Sequence, residues 1–136
     1  MKMSQVKEIV AQNEAVATIT IYQPNDQPYT GSDGNPSTIS FKGSESKAYR
    51  AKQQELADRQ IAEGKRTLTL EENRALQAEL AASVVTGWSG WEAEDGSPLP
   101  ATADNVLGLL GAEHILTQVQ ICIARHARFF GASSPS

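Results

Sequence analysis

The stretch VATITIY, residues 16–22, decides the fold class of this chain. Its β-branched residues alternate with a period of two, which predicts a strand with one buried face. Pro24 ends the strand, because proline has no N–H to give to a β-ladder. A second run of this kind, TISF at residues 38–41, predicts the partner strand. Together the two runs predict an N-terminal β-hairpin.

Residues 23–37, between the two runs, are rich in Gly, Pro, Asn and Asp, the residue types that favour turns. We therefore expect a long loop at the end of the hairpin. DGNP at residues 33–36 recurs as DGSP at residues 95–98, which we interpret as recurring turn chemistry and not as a sequence repeat. Two strands alone are marginal in water, so another part of the chain must cover their apolar face. That face carries Ile19, Ile21 and Phe41.

The spacing of apolar residues becomes helical after residue 43. Ser44 or Ser46 can cap a first helix with a thin apolar stripe, which ends at Gly64. Thr69 and Glu72 have the spacing of a capping box and predict the start of a second helix. This second helix is expected to stop near residues 86–87, and its buried stripe is Leu76, Leu80 and Val84.

The segment GWSGWEAEDGSPLP, residues 87–100, reads as a loop because of its glycines and prolines, yet it holds both tryptophans. Thr102 begins a third helix that ends at Gly111. The last helix has the strongest apolar stripe of the chain and a basic end that suits the negative pole of a helix dipole. The stripe consists of Ile115, Val119, Ile123, His126 and Phe130, with Leu116 and Cys122 alongside.

The sequence therefore predicts an α+β fold, with an N-terminal β-hairpin followed by a mainly helical body of about four helices. We expect one domain over residues 1–136. Within it, the hairpin unit covers about residues 15–43, the helical body about residues 44–130, and a frayed C-terminal tail residues 131–136.

Composition excludes several classes of protein. The chain has 136 residues, a formal net charge of −4 and one cysteine, so it has no internal disulfide, and its acidity argues against a nucleic-acid binder. No run approaches the roughly 20 apolar residues of a membrane span, and the N-terminus lacks the apolar core of a signal peptide. The stretch 42–66 is mostly basic and the stretch 71–113 mostly acidic. Such blocks are either solvated helix faces or opposite faces that steer docking.

Residues with catalytic or ligating chemistry are few. Cys122 and His126 have the i, i+4 spacing that can clamp a metal, but the chain has no second cysteine, so a packed thiol is the simpler interpretation. The apolar neighbours of Cys122 raise a thiol pKa and do not activate it. The carboxylates Glu92, Glu94 and Asp95 lie in a Gly/Pro-rich segment, where acids are usually solvated. The sequence therefore predicts no enzyme, no metal and no cofactor.

Trp88 and Trp91 are the anomaly of the sequence, two large aromatic residues in a segment of small ones. One interpretation is that Trp88 fills a gap between helices. The other is that an exposed ring anchors a contact, since tryptophan is enriched in interface hot spots.

Several segments resemble tail assembly chaperones of long-tailed bacteriophages. They are VTGWSGW at residues 85–91, EDGSPLP at 94–100, residues 102–110, the closing stretch 118–130, and FKGSES at 41–46 followed by Tyr49 and Arg50. The resemblance covers about residues 16–130. It implies a non-enzymatic protein of the host bacterial cytoplasm that binds the tape-measure protein and helps to recruit the major tail protein. Self-association is left open, and neither nucleic acid nor membrane is implied as a partner.

The aromatic residues that we predict to contact partners are Trp88, Trp91, Tyr49, Phe129 and Phe130. Two alternatives remain beside the chaperone. One is a structural component of the virion, such as a tail-completion, connector or minor tail protein. The other, ranked far below, is a small hydrolase or metal-binding enzyme that uses Cys122, His126 or the acidic segment.

Overall fold

A computed structural model describes residues 2–64 and 66–126 of the chain. This part of the chain contains five helices and three strands, which confirms the α+β class but exceeds the four predicted helices. In chain order they are α1 (Met3–Asn13), β1 (Ala17–Thr20), β2 (Thr38–Phe41), α2 (Lys47–Ala62), α3 (Leu70–Ala82), β3 (Val85–Ser89), α4 (Ala103–Leu110) and α5 (Glu113–Ala124).

The three strands form an antiparallel sheet in the order β1, β2, β3. Ile39 in the central strand pairs with Ile19 on one side and with Trp88 on the other. The predicted pairing of β1 with β2 is confirmed. The prediction of a helix end and a loop over residues 85–89 is wrong, because these residues add a third strand to the hairpin. Its pairing with a strand more than forty residues earlier is a long-range contact that no local pattern shows.

The segment between β1 and β2 folds into two tight turns, where the sequence predicted one long loop. Turns at residues 22–28, 30–36 and 92–98 share one pattern, in which the first residue forms a β-bridge with a proline six positions later. In each turn an Asx side-chain oxygen accepts a hydrogen bond from the backbone N–H two residues on, at 2.9–3.1 Å. The residue between them has a positive φ. The pairs are Asn25-Asp26 (φ 66°), Asp33-Gly34 (φ 82°) and Asp95-Gly96 (φ 85°).

Helix α1 precedes the hairpin, so the predicted order, with the hairpin first, is wrong. The signal for this helix was present in the apolar residues at positions 3, 6, 9 and 10, which have helical spacing. Residues 2–8 of α1 are all exposed to solvent. Met3 and Val6, the first two of these apolar positions, are exposed and belong to no core of this chain.

The predicted starts of the three middle helices are confirmed by their caps. The side chains of Ser46, Thr69 and Thr102 each accept a hydrogen bond from the backbone N–H three residues on. Thr69 and Glu72 form the reciprocal capping box, with both bonds at 3.1 Å. Polar caps are local in sequence, which is why these boundaries were predictable.

The main hydrophobic core lies between the sheet and helices α3, α4 and α5. Ile21, Ile39 and Phe41 cover the sheet side and are at most 1% exposed. The predicted stripe of the last helix is confirmed at Ile115, Val119 and Ile123, which are buried. His126 is buried too but follows the end of α5 at Ala124, and Phe130 lies outside the described residues. Helix α2 packs against this cluster with the half-buried Ala48 and Tyr49 at its start, and its one fully buried residue is Leu56.

No single described helix combines the length and the apolar composition needed to cross a membrane; α4 and α5 pass that test only as a pair, bent by 105°.

Candidate functional site

Both tryptophans are half-buried, and both indole N–H groups donate to backbone carbonyls. Trp88 in β3 donates to the carbonyl of Leu99 at 2.7 Å, and Trp91 donates to the carbonyl of Thr38 at 3.0 Å. A buried indole N–H needs such a partner. The two bonds attach the segment that follows β3 to the sheet, so both rings serve the fold.

The tryptophans belong to a row of four rings. Trp88 contacts Trp91 at a centroid distance of 6.3 Å, Trp91 contacts Tyr29 at 5.5 Å, and Tyr29 contacts His114 at 5.9 Å. The hydroxyl of Tyr29 is also hydrogen-bonded to Nε2 of His114. The row therefore connects β3, the turn segment before β2, and α5. A contact role for the exposed edges of the two tryptophans stays a prediction.

The other predicted contact residues lie elsewhere. Tyr49 is half-buried in α2 and lines a small cavity of about 150 Å³ with residues of α3 and α5, among them Leu80 and Ile123. No ring contact in the described part of the chain joins Tyr49 to Trp88 or Trp91, so the structure brings only the tryptophans together. Phe129 and Phe130 lie outside the described residues.

Cys122 and His126 have structural roles in the fold. Burial raises the pKa of the Cys122 thiol, with a smaller opposing effect from the charge of Arg125, so the thiol is not activated. His126 is buried, and its Nε2 lies 2.6 Å from the carbonyl oxygen of Ala15. Within residues 2–64 and 66–126, no group of three His, Cys, Asp or Glu side chains is placed to hold a metal ion.

The acidic segment after β3 stabilises turns. The carboxylate of Glu92 accepts from the N–H and the hydroxyl of Ser32, the latter at 2.6 Å, and so joins two of the three tight turns. Asp95 accepts from the hydroxyl and the N–H of Ser97, and these hydrogen bonds lower the pKa of its carboxyl. Both carboxylates are therefore engaged in structure.

A groove suited to a ligand lies between α2 and α4. Its floor is the outer face of α3, and we call it the α3 groove. It consists of three adjoining cavities of about 210, 470 and 330 Å³, which share the side chain of Glu79. The floor carries Ala75, Ala78 and Ala82, and the walls carry Leu56 and Arg59 of α2 and Val106, Leu107 and Leu110 of α4.

The alanines determine what the α3 groove can bind. They lie at i, i+3 and i+7 on α3, so one face of this helix presents methyl groups over about two turns. Small residues allow the backbone of a partner to come close, and the apolar walls can pack around its side chains. An amphipathic helix laid into an apolar groove is a common mode of peptide recognition. The groove therefore has the form of a helix-binding site.

The floor also holds a charged group, because Glu79 lies among these alanines and lines all three cavities. Glu79 accepts from Arg59 at 2.9 Å and lies 3.8 Å from the ammonium group of Lys52. The hydrogen bond and the charge of Glu79 hold the pKa of Arg59 above its ordinary value. At the α5 end of the groove, the guanidinium of Arg74 lies 3.2 Å from the carboxylate of Glu113, and both are exposed.

The basic and acidic stretches of the sequence meet inside the molecule at these ion pairs. Lys52 and Arg59 belong to the basic stretch 42–66, and Glu79 belongs to the acidic stretch 71–113. Part of the charge segregation therefore attaches α2 to α3. This role was not among the two interpretations of the charge blocks, solvated helix faces and faces that steer docking. The alanine floor was missed as well. Its three alanines are spread along α3, and they form the floor of a groove only because α2 and α4 flank that helix.

No family model, no curated protein and no solved structure matches this chain.

Proposed function

We propose that this protein is a non-enzymatic tail assembly chaperone of a long-tailed bacteriophage, which acts in the cytoplasm of the host bacterium. It binds an apolar helical stretch of the tape-measure protein and helps to recruit the major tail protein. The proposal begins from the resemblance of residues 16–130 and is supported by one structural observation, the α3 groove with its alanine floor.

A chaperone for a long helical client needs a surface that shields apolar side chains and later releases them. The α3 groove fits this task because its floor alanines and its α4 wall are apolar, while the ion pairs of Glu79 lie within it and the pair of Arg74 with Glu113 lies at one end. Leu107 on the α4 wall is 37% exposed and is available to a client. Burial of client side chains in such a groove provides the binding energy, and the charged groups within the groove and at its end keep it soluble when it is empty.

Binding of a tape-measure fragment tests the proposal directly. We expect the purified chain to bind fragments of the tape-measure protein of the same phage, as measured by titration calorimetry. Ala75→Arg places a long charged side chain on the groove floor and should weaken binding at least tenfold. Ala75 is exposed, and arginine is a good helix former, so the variant should fold.

Asn73→Arg is the matched control, because it adds the same charge to an exposed position of α3 that does not line the groove. Equal binding by both variants would place the client site elsewhere, and a wild-type chain that binds no fragment would overturn the chaperone proposal. Stoichiometric presence of the chain in purified particles would favour a structural component of the virion, since a chaperone leaves after assembly.

A further inference from the structure

One edge of the sheet is open at β1. The N–H of Ile21 donates to the carbonyl of Ser37, so the backbone groups of the odd-numbered residues of β1 face β2. Because backbone groups alternate in direction along a strand, those of Thr18 and Thr20 face away from the sheet. No hydrogen bond between described residues reaches these outward N–H and C=O groups. Strand β1 therefore offers an edge to which a further strand can be added.

The opposite edge of the sheet, at β3, is protected. Thr86 is an extra residue in this strand, since the pairing with β2 passes directly from Val85 to Gly87. Such a bulge twists an edge away from partners, and a glycine within a strand weakens pairing further. Strand β1, with the sequence ATIT at residues 17–20, has no charge, proline, glycine or bulge. The edge of β1 is therefore the one suited to pairing.

The residues along the β1 edge are symmetric about Ile19. Thr18 and Thr20 lie one residue to either side of it. Val16 and Tyr22, each 46% exposed, lie three residues to either side. A second β1 laid antiparallel with Ile19 opposite Ile19 places Val16 beside Tyr22, a β-branched and aromatic pair of the kind that stabilises sheets. Ile19 packs on the core but is only half-buried, and the second strand would cover it.

Helix α5 runs along the same edge. The amide of Gln118 bonds to both backbone groups of Tyr22 at 2.8 Å, and the ring of His126 bonds to a carbonyl that precedes β1. Ile121 lies between these two attachments, one turn after Gln118 and on the same side of the helix, and it is 47% exposed. Two β1 strands that pair about their middle therefore also bring two copies of Ile121 towards each other.

We propose that β1 pairs with β1 of a second copy of this chain, antiparallel and about a two-fold axis at Ile19. The contact joins the two three-stranded sheets into one, and each pair of Thr18 with Thr20 exchanges two backbone hydrogen bonds. Gln118 ends this ladder at Tyr22, because its amide already occupies the groups that the next pair would use. The contact joins the same surface of both copies, so it closes on itself and gives a dimer.

Thr18→Pro and Thr18→Val form a matched pair of variants that tests the edge. Both lose the hydroxyl that bonds to Ser40 at 2.8 Å, but only proline removes the outward N–H, which the sheet of its own molecule does not use. Light scattering after size-exclusion chromatography should give the wild type and Thr18→Val twice the 14.6 kDa of one chain. Thr18→Pro should have the mass of one chain at the same concentration.

Thr20→Lys tests the edge without a change in the backbone. It places two like charges within about 8 Å of each other across the axis, so this variant should also have the mass of one chain. Circular dichroism shows whether each variant is folded. If Thr18→Pro does not fold, Thr20→Lys decides the outcome.

Hydrogen exchange tests which surface forms the dimer. The amides of Thr18 and Thr20 should exchange at least tenfold more slowly at concentrations where the wild type is a dimer than in the single chain. The amide of Trp88, which faces outward at the β3 edge, is the control and should not change.

A wild type that remains a single chain at all concentrations would overturn the proposal. A dimer that persists in folded Thr18→Pro or Thr20→Lys would also overturn it, as would a dimer in which the Thr18 and Thr20 amides are not slowed. No client is present in these measurements, so they fail or succeed independently of the binding test for the chaperone.

Discussion

The carboxylate of Glu14 accepts a hydrogen bond from the backbone N–H of Lys47 at 2.8 Å, so the residue that ends α1 also caps the start of α2. The bond satisfies one of the free N–H groups at a helix N-terminus and places a negative charge at the positive end of the α2 dipole. It joins two helices across the hairpin that separates them in sequence.

We predict that this bond makes stability depend on pH. The hydrogen bond from the N–H of Lys47, with a smaller effect of Lys42, lowers the pKa of the Glu14 carboxyl from its ordinary value of 4.5. Because the folded state favours the charged form, Glu14 stabilises the fold above about pH 4.5, and this contribution is lost as the pH falls through the folded pKa. Glu14→Gln should therefore lower the free energy of unfolding at neutral pH and have less effect at a pH of about 3.

Urea unfolding at both pH values measures this difference. Glu8→Gln is the control, since it neutralises an exposed carboxylate on the preceding turn of α1 that has no capping role. A loss that is equal for Glu14→Gln at both pH values would show that the carboxylate does not cap α2 in its charged form.

We predict that substitution of either tryptophan lowers the free energy of unfolding, as substitution of an exposed contact residue would not. Trp88→Ala removes a half-buried ring that packs against the core, and it should cost about 3 kcal/mol. Trp91→Phe keeps a ring beside Tyr29 but removes the donor to the carbonyl of Thr38, which should cost about 1 kcal/mol. Urea unfolding gives both values. A cost of only a few tenths for Trp88→Ala would instead favour the contact-anchor interpretation.

Features that depend on local interactions were predictable from the sequence, whereas features that depend on contacts between distant residues were not. The caps at Ser46, Thr69 and Thr102 were predictable because donor and acceptor lie three residues apart. Strand β3 was missed because it forms by the pairing of Trp88 with the distant Ile39. The glycines and serine around Trp88 give no strand pattern of their own. The tight turn at residues 22–28 was missed because it has Asp26 at the position where the other two turns have glycine.

Helix α1 and the α3 groove were missed for a related reason. Met3 and Val6 have helical spacing, yet they are exposed, so no core pattern included them. Ala75 and Ala82 are unremarkable in a helix, and only the packing of α2 and α4 around α3 turns them into the floor of a groove. Sites formed between helices are set by tertiary packing, which single-sequence patterns do not contain.

We predict that Gly43 is required by the packing of His126, which follows α5. A Cβ atom at this position would lie 2.5 Å from the ring of His126, closer than non-bonded atoms approach, and the ring is buried. Gly43→Ala should therefore cost about 1–3 kcal/mol, the usual range for overpacking. Thermal and urea unfolding measure this cost.

Gly108→Ala in α4 is the matched control for this prediction. A Cβ there meets nothing within 4 Å, so the substitution should stabilise the protein by about 0.5–1 kcal/mol through helix propensity alone. If both substitutions stabilise the fold, the ring of His126 does not pack on Gly43.

We predict that Glu79 controls the local stability of α2. This helix fully buries only Leu56, its start packs on the core through Ala48 and Tyr49, and the ion pairs of Lys52 and Arg59 with Glu79 attach its middle to α3. Removal of the charge in Glu79→Gln should let α2 open without global unfolding. Hydrogen exchange of the α2 amides should then become several-fold faster, while exchange in α5 should stay unchanged.

Glu113→Gln tests whether the effect belongs to the α2 attachment or to charge removal at the groove in general. It breaks the exposed pair with Arg74 at the other border of the α3 groove, which does not involve α2. Exchange in α2 should therefore remain at the wild-type rate in this variant. If both variants accelerate α2 equally, the helix responds to the net charge of the groove, and the pairs of Glu79 are not its attachment. If only Glu79→Gln accelerates exchange in α2, the pairs of Glu79 hold α2, which is one wall of the α3 groove. A helix bound in the groove would contact this wall, so its binding should slow exchange in α2.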